Sequence, residues 1–227
     1  MLIATLLALA SYLCGSVPFG YLIARSKGVD IFKAGSGNIG ATNVRRVLGR
    51  GPGNLCFALD VLKGLVPTIT AGLVLGTLGD LDAPAGMVWA WLMSPVAAVV
   101  GHMYSPWLGF RGGKGVATGL GALLGVYWVL TLAVIGALIV WLVVLKASRY
   151  VGLASVCAAA SVPVLAVVLP VLAEGGFPAT AIPTFVVAML LATLVVVRHR
   201  GNLQRILAGT EPKTGGPRPV EAKPDVP

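Results

Sequence analysis

Long apolar runs separated by short polar segments follow one another from Leu2 to Val197. The first covers Leu2–Ala24, and roughly 20 apolar residues let a helix cross a bilayer. Gly15-Ser16-Val17-Pro18 lies inside it and predicts a kink, because proline cannot bond the carbonyl one turn back. Runs at Leu55–Leu78, Ala85–Met103, Tyr150–Leu172 and Thr180–Val197 predict four more spans, with Tyr150–Leu172 expected to be broken by Pro163 and Pro170. Trp89 and Trp91 are expected to anchor Ala85–Met103 at an interface. Gly115–Leu145 is an awkward length: as one helix it measures roughly 46 Å, too long for one crossing and short for two. Lys114 and Lys146 bracket it and both favour the cytoplasm, so two crossings are predicted, hinged near Gly125–Tyr127, the first of them short. Gly115, Gly119, Gly121 and Gly125 form small-xxx-small pairs that allow close helix packing.

Composition agrees. Of 227 residues, 57% are hydrophobic and 11% charged, against about 25% charged in an ordinary soluble domain. The class is an all-α, polytopic membrane bundle of seven transmembrane helices. All seventeen Lys and Arg fall in alternate loops, at the matching span ends or in the tail, while the other loops carry only Asp80, Asp82 and Glu174. This asymmetry predicts the N-terminus outside and the C-terminus in the cytoplasm. Topology and an anionic substrate then account for the net charge of +9 without nucleic acid. The run from Leu2 is too long for a signal-peptide core and lacks a basic leader, so it reads as a retained span. Cys14, Cys56 and Cys157 fall in apolar runs and read as small buried hydrophobes, not as a disulfide or metal framework. Asp60 and Lys63, one turn apart near the start of their span, are expected to pair structurally. Residues 1–211 are expected to form one domain, and the Pro-, Gly- and charge-rich 212–227 a disordered cytoplasmic tail.

Three polar stretches face the cytoplasm. Gly35–Arg50 (GSGNIGATNVRRVLGR) contains a G-x-G-x-x-G pattern at Gly35, Gly37 and Gly40, but no strand precedes it, so a dinucleotide site is not implied. The physics still transfers: glycines let backbone N–H groups approach an anion, and a helix start concentrates them. A short interfacial helix is expected over Ile39–Leu48, with Thr42, Asn43 and Arg46 within one turn of each other. The alternative for this stretch is a solvated basic loop serving topology alone. Gly109–Gly115 (GFRGGKG) resembles a P-loop fragment but lacks the Ser or Thr after Lys114 and the upstream glycine. What remains is Gly112, Gly113 and Lys114 at a helix start, either an anion site or a tight turn with a topogenic lysine. Arg198-His199-Arg200-Gly201-Asn202, with Arg205, ends the last span. Basic residues there ordinarily act as a stop signal, and that reading stays open for Arg198 and Arg200. His199 and Asn202 share a face and are not needed for topology. His102 is read as a hydrogen-bonded helix end. Three or more cations backed by glycine loops at one membrane face predict a phosphorylated ligand. These stretches carry no metal-ligand spacing, DxD pair, Ser-His-Asp order or H-x₄-D motif; the D-x-D at Asp80-Leu81-Asp82 lies in a loop expected on the other side.

With these stretches in hand, the chain resembles the bacterial acyl-phosphate:glycerol-3-phosphate acyltransferase family. The matching segments are Gly15–Gly20 (GSVPFG), Gly35–Arg46 (GSGNIGATNVRR), Gly101–Thr118 (GHMYSPWLGFRGGKGVAT) and Arg198–Glu211 (RHRGNLQRILAGTE), in order and suitably spaced. The resemblance implies transfer of a fatty acyl group from acyl phosphate to the 1-hydroxyl of glycerol 3-phosphate. The products would be lysophosphatidic acid and inorganic phosphate, the first step of bacterial phospholipid synthesis. It implies no metal or organic cofactor, a place in the bacterial cytoplasmic (inner) membrane, and contact with the enzyme that makes acyl phosphate. Carried over by position, Ser36, Arg46, Lys114, His199 and Asn202 correspond to the glycerol-3-phosphate and catalytic contacts. Thr42, Asn43, Gly112 and Gly113 correspond to the acyl-phosphate cradle, and Asn38 and Ser155 to further substrate contacts. The chain departs from the family at Gly152, where Ser is frequent, and at Gly201, where a polar residue is common. Arg45 is an extra cation beside Arg46. A transporter of an organic phosphate is the competing class, disfavoured because the outer half carries no basic residue and no inverted repeat is visible.

Overall fold

Helix–helix contact in the first half of the bundle is made through glycines. The computed structural model describes residues 1–127, 130–174 and 180–215, which are helical with no strand among them. Helices α1 (Leu2–Ser16) and α2 (Phe19–Arg25) flank Val17-Pro18; α3 (Ala41–Leu48) is short; α4 (Arg50–Leu75) and α5 (Ala85–Met103) are long. Then come α6 (Val116–Gly125), α7 (Thr131–Ser148), α8 (Val151–Glu174), α9 (Ala181–Arg198) and α10 (Arg200–Leu207). A Cβ added to Gly15 would lie 2.1 Å from the Ala98 carbonyl oxygen, and one on Gly101 2.2 Å from that of Tyr12, so α1 and α5 touch backbone to backbone. Gly121 and Gly64 do the same for α6 and α4, at 1.9 Å from Val61 O and 2.2 Å from Thr118 O. Two apolar helices gain no hydrophobic energy by leaving lipid for each other, so such close approach supplies the packing. Of the glycines expected in the α6 seam, Gly121 and Gly125 take part, whereas Gly119 meets nothing within 4 Å.

Six segments are long and apolar enough to cross a membrane: Leu2–Arg25, Arg50–Leu75, Ala85–Leu108, Thr131–Ser148, Val151–Leu172 and Ala181–Arg198. Their outer faces expose Leu6, Leu13, Leu62, Leu73, Ile139 and Val164, as a lipid-facing surface requires. The protein is a multi-span membrane protein. At about 15 Å, α6 does not reach across alone. The residues after it meet the loop beyond α4: the Tyr127 carbonyl accepts a hydrogen bond from Gly79 N–H at 2.8 Å. The start of α6 lies against His102 and Met103, at the opposite end of α5.

The kink at Pro18 is present, and the expected Asp60–Lys63 pair explains how it is held. Lys63 Nζ donates to the Val17 carbonyl, just before the proline, at 2.7 Å and pairs with Asp60 Oδ1 at 2.8 Å, both side chains being buried. Two expectations fail. Pro163 and Pro170 lie inside a continuous α8, as Pro67 and Pro95 do in α4 and α5. Unwinding a turn would expose several backbone groups to apolar surroundings, at several kcal/mol each, so the helix sheds only the bond proline cannot make. Trp91 is not an interface anchor. It is 1% exposed, lies against Gly72 and donates to the Thr68 carbonyl at 2.9 Å, while Trp89 stays exposed.

At the far end of the chain, Thr214 and Arg149 exchange hydrogen bonds, Thr214 N–H to Arg149 O at 2.8 Å and Arg149 Nη2–H to Thr214 O at 2.9 Å. Contacts to the helices thus continue past Glu211, where the tail was expected to begin; residues 216–227 of that tail lie outside the described residues.

Candidate active site

All three polar stretches meet at the end of the bundle where α5 and α9 finish. The first is shaped by Asn43, buried on α3. Its Oδ1 accepts the Ser36 N–H at 2.8 Å, and its Nδ2 donates to the carbonyls of Ala34 at 3.0 Å and Asn38 at 2.9 Å. Asn43 is therefore committed to the loop, and contributes to any cradle by shaping it. Gly35 turns at φ 61°, and a Cβ there would lie 2.3 Å from Asn43 Oδ1. Asn38 Oδ1 accepts Gly40 N–H at 2.9 Å, at the cap of α3. Ser36 and Thr42 are exposed and Arg46 half-buried. Their side chains have no hydrogen-bond or ion-pair partner among the described residues, and so are free for a ligand.

The second stretch is the glycine turn before α6. Gly113 N–H donates to the His102 carbonyl at 3.1 Å, and the His102 ring fills the space where a Gly113 side chain would sit. Gly112 similarly lies against the His102 and Met103 backbone. His102 was expected to be a hydrogen-bonded helix end; its carbonyl is bonded, but among the described residues its buried Nδ1 has no hydrogen-bond partner, lying 3.8 Å from Asp60 Oδ1, and its ring underlies the turn. The first helical bond of α6, Gly119 N–H to Gly115 O at 2.7 Å, leaves the amides before Gly119 at an open helix N-terminus, a natural place for an anion.

The third stretch supplies Asn202, which is buried at the start of α10. Its Oδ1 accepts a short hydrogen bond from Lys114 Nζ, and its Nδ2 donates to Glu211 Oε1 at 2.6 Å. Glu211 also pairs with Arg205 at 2.7 Å. Burial, opposed by Glu211 and reinforced by the charges of Arg205, Arg46 and Arg198, lowers Lys114 to a pKa of about 8. His199 is buried with Nδ1 2.8 Å from the Val195 carbonyl. A carbonyl only accepts, so Nδ1 carries the hydrogen and Nε2 presents its lone pair. Burial pushes His199 down to about 4, against the Val195 bond, so at neutral pH it is an uncharged acceptor. Ser155 is buried and its Oγ accepts from Trp141 Nε1 at 3.3 Å. One turn earlier, Gly152 lies against Asn202, so α8 reaches the site through Gly152 more directly than through Ser155.

A cavity of about 240 Å³ joins the stretches, lined by Asn38, Tyr104, Lys114, Val197, Arg198 and Arg200. It offers fixed cations and polar donors together with a neutral imidazole nearby, which suits binding a phosphate and orienting a hydroxyl. The carboxylate near it, Glu211, is already held by Asn202 and Arg205. Among the described residues, no three His, Cys, Asp or Glu come together as a metal site.

Comparison with known proteins decides the family. The profile of the glycerol-3-phosphate acyltransferase family matches residues 5–209. The chain belongs to the glycerol-3-phosphate acyltransferase family. Among the similar curated acyltransferases of that name are those of Synechococcus sp. (strain CC9902), 44% identical over 95% of this chain and 98% of that one, and Geobacter sulfurreducens, 42% identical over 93% and 97%. The fold is similar to crystal structures of PlsY (YgiH), an integral membrane glycerol 3-phosphate acyltransferase. Its glycerol 3-phosphate form shows 38% identity and a TM-score of 0.79 over 93% of this chain and 96% of that one. Its lysophosphatidic acid form shows a TM-score of 0.77. Within this acyltransferase, two residues near the site escaped the sequence reading. Glu211 was visible as the one carboxylate between 198 and 213, but its hold on Asn202 was not. For Arg198 the stop-signal reading was left open, and its side chain is bound to the glycine turn.

Proposed function

We propose that this acyltransferase moves a fatty acyl group from acyl phosphate to the 1-hydroxyl of glycerol 3-phosphate, giving 1-acylglycerol 3-phosphate (lysophosphatidic acid) and inorganic phosphate. The observation that carries the reading is the shared cavity of Asn38, Lys114, Arg198 and Arg200, drawn from three separate stretches. Acyl phosphate is already activated, and the site supplies what such a donor needs: cations for the phosphoryl oxygens, amides at the α6 start, and an acceptor to orient the hydroxyl. The hydroxyl oxygen attacks the acyl carbon, the bond from that carbon to the phosphate oxygen breaks, and the departing phosphate takes the proton. His199, neutral and weakly basic, positions the hydroxyl rather than removing its proton. Ser36, Arg46, Lys114, His199 and Asn202 serve glycerol 3-phosphate and the chemistry. Thr42, Gly112 and Gly113 cradle the acyl-phosphate group, with Asn38 and Ser155 as supporting contacts and Asn43 shaping the loop beneath them. Holding both reactants supplies proximity, and the cations stabilise developing charge.

The distribution of Lys and Arg supports seven crossings, α6 with its extension being the short one, with the N-terminus outside and the site on the inner face of the bacterial cytoplasmic membrane. The test uses purified protein in lipid vesicles with acyl phosphate and glycerol 3-phosphate, following phosphate release. Release that needs both substrates is expected. Acylation only from an acyl thioester, or glycerol 3-phosphate uptake without phosphate release, overturns the proposal.

A further inference from the structure

Two of the three nitrogens of the Arg198 guanidinium, at the end of α9, bond backbone. Its Nε–H donates to Gly113 O at 3.2 Å. Its Nη2–H groups face Met103 O at 3.2 Å, Gly112 O at 3.0 Å and Gly113 O at 3.0 Å. The guanidinium carbon lies 5.3 Å from the centroid of the Tyr104 ring. Among the described residues no carboxylate pairs with it. Three carbonyls from two segments, the last turn of α5 and the glycine turn, therefore converge on one cation. Carbonyl dipoles aimed at a common point repel one another, and the end of α5 adds its own negative pole. A planar fork of donors can serve all three at once; a lysine ammonium, a compact and strongly hydrated point charge, cannot reproduce that fork.

We propose that Arg198 is a positioning residue, which clamps the carbonyls of Gly112 and Gly113 and so fixes the backbone from which Lys114 reaches Asn202. The inference rests on the acyltransferase reading of the same site. Peptide planarity carries the effect along the chain: fixing the Gly113 carbonyl fixes the Lys114 amide on the other side of the same plane. Gly112 and Gly113 have no side chains to hold the turn, and His102 supports it from the other side. Without the clamp, the turn loosens, Lys114 leaves its buried setting, and the contact with Asn202 is lost. A stop signal would ask only for positive charge, which Lys supplies equally well.

The charged and titratable groups around Lys114 are Arg46, Tyr104, Arg198, His199, Arg200, Arg205 and Glu211. Arg198→Lys keeps that charge pattern and the topology. The experiment measures phosphate release by wild type, Arg198→Lys and Tyr104→Leu against pH, with thermal unfolding in detergent as the folding control. Expected for Arg198→Lys is a drop in kcat/KM of tenfold or more and an alkaline limb moved upward by about one pH unit, because a released Lys114 is better solvated. Tyr104→Leu removes the ring under the guanidinium and shifts both in the same direction by less. It carries the test alone should Arg198→Lys not fold. Wild-type kcat/KM in both variants overturns the proposal, leaving Arg198 a topogenic charge. A lowered kcat/KM with the limb unmoved also overturns it, making Arg198 a direct phosphate ligand. Failure of the wild type to release phosphate refutes the acyl-phosphate reaction instead, so the two outcomes are separable.

Discussion

Lys114 should give this enzyme an alkaline limit far below that of an ordinary lysine. Its ammonium is held by Asn202 and depressed to about 8, burial outweighing the attraction of Glu211, with Arg205, Arg46 and Arg198 adding to the depression. If the charged form binds the substrate phosphate, kcat/KM follows the protonated fraction and falls about tenfold between pH 7 and pH 9. Bound phosphate brings an opposite charge close and raises the pKa by roughly 1–3 units, so the limb in kcat lies correspondingly higher. Measurements should stay above pH 7, because a phosphate monoester itself titrates near about 6. Unfolding would mimic the effect, but the linkage has the opposite sign. Lys114 titrates lower folded than unfolded, so its charged form penalises the folded state below pH 8. That penalty is relieved as pH rises from 8 toward the ordinary value of 10.5. Over this window Lys114 makes activity fall while its contribution to stability improves. Arg in its place stays charged throughout, so Lys114→Arg should be slower but lack the limb. Lys114→Met should lose about 10²–10³ in rate. A kcat/KM profile flat to pH 9.5, or an identical limb in Lys114→Arg, would refute the assignment.

Two further outcomes follow from buried polar groups. Lys63→Met strands Asp60 without its counter-ion and leaves the Val17 carbonyl only the Phe19 N–H, and should cost about 3–5 kcal/mol; adding Asp60→Leu should recover part of it, read as thermal midpoints in detergent. Asn43→Ala frees the Ser36 amide and two carbonyls, each orphan costing about 1–3 kcal/mol where it stays dry; it should raise KM for glycerol 3-phosphate and speed hydrogen exchange over 34–38.

The long spans were legible because lipid imposes one solution on the backbone, and the stretch between Lys114 and Lys146 divides, as expected, into two helices, α6 and α7. What sequence could not settle was any question whose answer needs two residue roles from one residue type. Arg198 satisfies the demand for a positive charge at a span end and the demand for a fork of donors beneath a glycine turn. Only the position of the carbonyls of Met103, Gly112 and Gly113 separates them. The Lys114–Asn202–Glu211 chain was hidden for a different reason. Its members lie 88 and 9 residues apart, and nothing local in the sequence fixes how α10 turns back on α6. Prolines misled because the cost of breaking a helix is set by the surroundings: in lipid, Pro163 and Pro170 remain inside α8.

Gly152 shows the same limit from the side of a missing group. Against the family pattern, a glycine where serine is frequent reads as a softened site. In the folded chain a Cβ at this position would lie 2.9 Å from Asn202 Cβ and 3.1 Å from its Nδ2. That is too close for a side chain unless α8 and α10 shift apart. The glycine is therefore what lets α8 pack against the residue that holds Lys114. Asn202 is then gripped on three sides, by Lys114, by Glu211 and by the bare backbone of α8, and the geometry of the cation depends on a side chain that is absent.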